Sequence, residues 1–396
     1  MKNETQNRLF DGVPLYYRLA IMQVLQYFVW GSWYVTIGTY LIKSCNFSGG
    51  EVGWVYASPG IAAMLMPYLM GVLADKYFPI QKILAALHFI GGLLLVFSAQ
   101  FTSFATFFPA ILLYSLCYQP TFSLTSSLCF SHLADPSSEY PRVRVWGTTG
   151  WIFGGLLVSL LGWETTVMPL YISALASIAL SIYCLTLPHT PPQGKDRPKR
   201  AFYLWLKNQS LLFLMGIMVL VMIPSSFYYS FVNTFLVDSG VKYAAAKMSI
   251  GQISEVIVML ALPVALAKLK WRKVITIGIA VWGIRYAIFL LHYDSELHYY
   301  FSIFLHGFAY CFSALAAQLY VNKIAPPELR SSAQGFYSFL IMGVGTMLGS
   351  FTAGNTVGWY TDTDNVINWD GVWMVASCLG FGIALLFWVF RGFLKE

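Results

Sequence analysis

Residues 189–207 read HTPPQGKDRPKRAFYLWLK, and this stretch decides how the chain is divided. Three prolines, a glycine and the basic side chains Lys195, Arg197, Lys199, Arg200 and Lys207 interrupt a sequence that is otherwise mostly apolar. On either side lie apolar runs of roughly 20 residues, the length an α-helix needs to cross a hydrocarbon core of about 30 Å. The chain of 396 residues is 58% hydrophobic and only 10% charged, with mean hydropathy +0.64. A soluble domain carries about a quarter charged residues, so a soluble fold is excluded. The expected fold is an all-α membrane protein of twelve transmembrane helices in two six-helix halves. Residues 1–188 form one half, 189–207 a cytoplasmic central linker, and 208–396 the other half.

The twelve spans are expected near 18–42, 51–74, 82–100, 104–133, 142–162, 165–187, 208–236, 245–268, 272–292, 296–321, 332–356 and 370–391. Cytoplasmic loops of membrane proteins gather Lys and Arg. With both termini inside, only Lys43, Lys242 and Lys247 of the 24 basic residues fall outside, and Arg285 is left within a helix. This asymmetry explains the net charge of +7 without a nucleic-acid partner. The N-terminal segment to Pro14 lacks the apolar core of a signal peptide, so the first run is expected to stay as a helix. The six cysteines form no Cys-x-x-Cys pair and read as small buried hydrophobes. A faint repeat relates the halves: Pro141-Arg142-Val143-Arg144 precedes span five and Pro327-Glu328-Leu329-Arg330 precedes span eleven. Gly71-Val72-Leu73-Ala74-Asp75-Lys76 resembles the loop signature of the major facilitator superfamily. The plain alternative is a glycine helix end followed by a charged turn, with Asp75 in a structural or ion-pair role.

Ionisable groups inside a membrane are costly and mark function. Glu255 and Arg285 each lie about 13 residues from the turn joining spans eight and nine, hence about 20 Å up from it, at the same height. Glu255 is read either as a cavity-facing carboxylate that takes and releases a proton, or as the ion-pair partner of Arg285. Gln252 shares its face one turn earlier. Arg144, Thr148 and Trp151 fall at i, i+4 and i+7 on one face of span five. A guanidinium, a hydroxyl and an indole in line suit a ligand with hydroxyls and a flat ring; an interfacial charge and a lipid-facing Trp are the alternative. Gln26 and Trp30 in span one, Ser226 and Tyr229 after Pro224, and His306 and Tyr310 in span ten add polar and aromatic surface. Any one of these aromatics is more simply a packing residue. No phosphate loop, metal-spaced cluster or Ser-His-Asp pattern is present, so neither an enzyme nor a metal protein is expected.

Several segments, taken together, resemble the bacterial nucleoside:proton symporters of the major facilitator superfamily. They are Trp30-Gly31-Ser32-Trp33, Gly60-Ile61-Ala62-Ala63 with Pro67, Arg142-Val143-Arg144-Val145-Trp146-Gly147-Thr148, Asn233-Thr234-Phe235-Leu236, Gln252-Ile253-Ser254-Glu255, Ile284-Arg285-Tyr286 and Ser332-Ala333-Gln334-Gly335. The resemblance implies nucleoside import driven by protons through alternating access, with no cofactor beyond the coupling proton. It implies a multi-pass protein of the bacterial inner membrane that works as a single chain among lipids. It also implies ligand contacts at Arg144, Thr148, Trp151, Gln252, Glu255, His306 and Tyr310, with Glu255 coupling to the proton. The chain departs from the family at Ser226 and Tyr229, where the best-known members carry Gln and Asn, and at Cys311, where they carry Asp. A sugar:proton symporter of the same fold and a transporter-like sensor without flux are the rival readings.

Overall fold

The computed structural model describes residues 13–192, 208–292, 295–326 and 329–394. Most of the linker expected at 189–207, and Pro327-Glu328 of the second Pro-x-x-Arg motif, lie outside the described residues. Helices account for nearly all of what is described: α1 (Leu15–Gly31), α2 (Ile37–Cys45), α3 (Gly49–Lys76), α4 (Ile80–Ser98), α5 (Phe104–Tyr118), α6 (Thr121–His132), α7 (Pro136–Leu160) and α8 (Met168–Cys184), followed by α9 (Gln209–Asp238), α10 (Ala244–Phe289), α11 (Leu297–Ile324), α12 (Ser332–Trp359) and α13 (Trp369–Phe390). One isolated antiparallel bridge joins Thr361 and Ile367. Seven of the helices are by themselves long and apolar enough to cross a membrane.

The remaining spans are broken or joined, for local reasons. Span one is interrupted between α1 and α2, where Ser32 Oγ donates to the Phe28 carbonyl and Thr36 Oγ1 to the Trp33 carbonyl. Hydroxyls that bond back to the preceding turn compete with the helical ladder. Span four breaks at Gln119-Pro120, where proline has no N–H to give. Spans eight and nine run together as α10, but Lys270 (φ 63°, ψ 166°) turns the chain sharply at their junction. Span ten loosens into a π-helical turn at Cys311–Leu315, and span eleven does so at Phe339–Gly345. Such turns are uncommon and often sit at functional positions.

The chain forms two compact units, within the bounds Met1–Ile37 plus Leu65–Asp196 and Gly38–Met64 plus Arg197–Glu396. The boundary passes through α3, so α2 and the first half of α3 belong with the C-terminal residues. In the first unit a core of Leu19, Met22, Leu84, Leu124, Leu128, Val143 and Leu180 binds α1, α4, α6, α7 and α8. The start of the linker is tied to this unit. Thr190 N–H donates to Gln81 Oε1 (3.0 Å), and His132 Nε2 meets Thr190 Oγ1 at 2.8 Å.

α1 and α7 approach closely because glycines face each other's backbone. A Cβ on Gly31 would stand 2.6 Å from the Trp151 carbonyl oxygen, and one on Gly154 would stand 2.8 Å from the Ser32 nitrogen. One on Gly150 would fall inside the Val24 carbonyl. Close contact through small residues is the usual way membrane helices pack. Gly150→Val is expected to lower the stability of the purified protein by about 1–3 kcal/mol through overpacking. Thermal unfolding in detergent measures this, and an unchanged midpoint would contradict the close approach.

Candidate functional site

The candidate residues fall into two groups, one within each unit. In the first unit Arg144, Thr148 and Trp151 of α7 are all half-buried. The Arg144 guanidinium lies over the Tyr27 ring at 4.1 Å. Gly147, one residue before Thr148, leaves room for that ring. The cation is thus oriented by a π face, an attraction of about 0.5–2 kcal/mol. Trp151 stands edge-on to Trp30 (4.8 Å, 81°), which also meets Tyr34 and Phe122 at 5.1 Å each. The Trp30 Nε1–H is buried without a hydrogen-bond partner. The result is a set of rings beside one oriented guanidinium and one hydroxyl.

Gln26 lies away from this aromatic face. It is 0% exposed. Its amide donates to Thr121 Oγ1 (2.7 Å), and its carbonyl oxygen faces His88 Nε2 at 2.8 Å. That oxygen can only accept, so Nε2 carries the proton. The His88 Nδ1 faces Ser177 Oγ at 3.3 Å. This network joins α1, α4, α6 and α8 through side chains that are all buried. Sequence reasoning overlooked His88; the signal was an ionisable residue in the apolar run Ile83-Leu84-Ala85-Ala86-Leu87-His88-Phe89-Ile90. Gln26→Leu would leave the His88 N–H and the Thr121 hydroxyl without that partner. A buried orphan of this kind costs about 1–3 kcal/mol. The expected result is a lower unfolding midpoint; a neutral substitution would show that the network is dispensable.

In the second unit the centre is Arg285 on α10, which is 0% exposed. Its Nη1 donates to His306 Nδ1 at 2.9 Å. Its Nε and Nη2 are buried without hydrogen-bond partners. Three ring faces surround the charge: Tyr228 at 4.1 Å, Trp282 at 5.2 Å and Tyr286 at 5.7 Å. Burying an incompletely bonded cation is expensive, and the aromatic faces offset part of that cost. His306, also 0% exposed, stacks on Tyr228 (4.4 Å, 21°), and its Nε2 meets the Tyr229 hydroxyl at 3.2 Å. Tyr310 stacks one turn on at 6.2 Å. Gly251 lets α10 close on this cluster, since a Cβ there would stand 2.7 Å from the Tyr228 hydroxyl.

Glu255 is half-buried in the part of α10 that precedes the turn at Lys270, and Arg285 lies in the part that follows it. The Cys311 thiol approaches the Glu255 carbonyl oxygen at 3.5 Å. Gln252 is buried one turn before. The structure therefore brings Arg285, His306, Tyr229 and Tyr310 into one neighbourhood, with the backbone of Glu255 against Cys311. Ser226 is placed differently. Its Oγ donates to the Met222 carbonyl (2.9 Å), and it packs directly on Gly349 of α12. Asp75 is half-buried at the end of α3. Among the described residues no three His, Cys, Asp or Glu side chains group as a metal site.

The pattern of the nucleoside H+ symporter family matches residues 13–394. YegT of Escherichia coli (strain K12) is 38% identical over 395 residues, covering 94% of this chain and 93% of YegT. The xanthosine permease of the same strain is 32% identical over 400 residues, covering 95% of each. The crystal structure of the nucleoside transporter NupG superposes with a TM-score of 0.88 at 32% identity, covering 97% of this chain and 100% of that one. Matched over residues 13–394 and 32% identical to the xanthosine permease across 95% of each chain, the chain belongs to the nucleoside H+ symporter family.

Proposed function

We propose that this protein imports nucleosides across the bacterial inner membrane by proton symport with alternating access, working as a single chain with both termini in the cytoplasm. The observation that carries the reading is the α7 face, where Arg144, Thr148 and Trp151 stand half-buried beside the rings of Trp30, Tyr34 and Phe122. Ring faces of this kind stack a nucleobase. A guanidinium and a hydroxyl one helical turn apart donate to ribose or base-edge oxygens. Gln252, Tyr229 and Tyr310 are further proposed ligand-binding residues, and Glu255 carries the coupling proton. Gln26 acts from behind as a support of α1, and Ser226 as a packing residue against α12. The two six-helix halves, 1–188 and 208–396, with 189–207 as the cytoplasmic linker, are the units of the proposed transport cycle.

The proton gradient supplies the driving force. Each charge crossing 100 mV contributes about 2.3 kcal/mol. The test is uptake of labelled uridine and adenosine into vesicles holding the purified protein, under an imposed proton gradient. Unlabelled nucleosides should compete, and free ribose and galactosides should not. Competition by the free sugars would favour a sugar symporter. Binding without accumulation would favour a sensor.

A further inference from the structure

We propose that His88 is a positioning residue for nucleoside binding, which fixes the rings of Tyr27 and Trp30 through two separate routes without touching the ligand itself. The inference rests on the α7-face reading above and adds to it a buried residue of α4 that this reading does not use. His88 is 1% exposed, so it acts only through its neighbours.

The first route runs through Gln26. The Thr121 hydroxyl donates to the Tyr118 carbonyl (2.5 Å), so its oxygen accepts from the Gln26 amide at 2.7 Å. That bond fixes which way the amide points and turns its carbonyl oxygen toward the His88 Nε2–H at 2.8 Å. Held at both ends, the Gln26 side chain sets the rotation of α1 about its axis. Tyr27 is the next residue, and Trp30 lies one turn on. Tyr27 underlies the Arg144 guanidinium at 4.1 Å, and Trp30 meets Trp151 at 4.8 Å.

The second route runs through rings. His88 stands edge-on to Tyr118 (6.0 Å, 78°), and Tyr118 stands edge-on to Phe122 (5.3 Å, 85°). Phe122 in turn meets Tyr27 at 5.4 Å and Trp30 at 5.1 Å. The Tyr118 hydroxyl also donates to the Gln26 main-chain carbonyl, which ties the two routes together. Both therefore end on the same pair of rings, and both begin at His88.

His88 can serve as the fixed end because other bonds pin its helix. Ser177 Oγ donates to the His88 carbonyl (2.8 Å), and Ser181 Oγ donates to the Ala85 carbonyl (2.7 Å). Gly92, one turn beyond His88, lets α4 and α8 close, since a Cβ there would stand 3.1 Å from the Ala174 carbonyl oxygen. These contacts use the backbone of α4 and do not need the imidazole. A ring that only filled space would be better apolar, because a buried N–H is costly unless it is bonded. Binding groups must be held to within about 0.5 Å by supporting hydrogen bonds of this kind.

The test compares His88→Gln, whose amide nitrogen takes the place of Nε2 and can donate to Gln26, with His88→Asn, whose shorter amide reaches toward Ser177 but not Gln26. Both keep a polar side chain, so a general loss of packing affects them alike. The first readout is the uridine concentration for half-maximal thermal stabilisation of the purified full chain. It should rise about tenfold in His88→Asn and stay near the wild-type value in His88→Gln. Gln26→Leu should weaken binding similarly, and adding His88→Asn to it should cause no further loss, because both act through one bond. The second readout is near-ultraviolet circular dichroism without nucleoside. The contribution of the Trp30–Trp151 pair is the difference between a protein and the same protein carrying Trp30→Phe. That difference should be weaker in His88→Asn and kept in His88→Gln. It needs no nucleoside, so it decides the positioning role even where uridine stabilises no variant and the substrate reading fails. Wild-type uridine affinity in His88→Asn, equal losses in His88→Asn and His88→Gln, multiplied losses in the double variant, or an unaltered Trp30–Trp151 signal in His88→Asn would each overturn the proposal.

Discussion

Replacing Glu255 with glutamine is expected to bring proton-driven nucleoside accumulation down to simple equilibration. At 100 mV one coupled proton is worth about 2.3 kcal/mol, which sustains a concentration ratio of about fiftyfold. Glutamine keeps the size and hydrogen-bonding of the side chain and removes only the charge that a proton can cancel. The drop should therefore approach that fiftyfold ratio. The structural grounds are specific. Glu255 is half-buried, whereas Arg285 and His306 are wholly buried. Gradient-driven accumulation by Glu255→Gln at the wild-type ratio would remove Glu255 from the coupling chemistry.

Arg144→Ala is expected to weaken nucleoside binding by about tenfold to a hundredfold. A hydrogen bond to a charged donor is worth about 1.5–3 kcal/mol, and the guanidinium is already positioned by the Tyr27 ring at 4.1 Å. Little side-chain freedom remains to be lost when the ligand arrives, which raises the value of each bond it makes. Lysine would not replace it, because an ammonium lacks the planar fork that stacks on Tyr27. The measurement is the concentration of uridine needed for half-maximal thermal stabilisation of the purified protein. An unchanged concentration in Arg144→Ala would place the cation outside the binding face.

The membrane spans were legible because an uncharged apolar run of about 20 residues is long enough to cross a bilayer and too apolar to face water. The interruptions were less so. The apolar pattern is continuous through Ser32 and Thr36, yet the hydroxyls there divide span one into α1 and α2. The polar turn after Lys268 was visible, but not that Lys270 alone reverses α10 with a left-handed φ. The face of α7 was readable from the spacing of Arg144, Thr148 and Trp151, since residues at i, i+4 and i+7 share a side. Counting residues from the turn led to the expectation that Arg285 is level with Glu255. Rotation about the helix axis was not readable, and it decides which neighbour a side chain meets. Arg285 donates to His306 of span ten, a partner that no spacing within α10 could indicate. Gln26 shows the same limit. Its amide turns toward His88 and Thr121, two residues distant in sequence that the packing of α4 and α6 brings to it. Ser226 lies under Gly349 because a glycine far along the chain leaves room for it.

The central claim is that nucleoside and proton cross together through this protein. The direct measurement is external pH in a lightly buffered suspension of vesicles holding the purified full chain, with no gradient imposed, on addition of uridine or adenosine. The account predicts that external pH rises as protons enter with the nucleoside, and that ribose added at the same concentration produces no change. Entry of labelled nucleoside with external pH unmoved would contradict it.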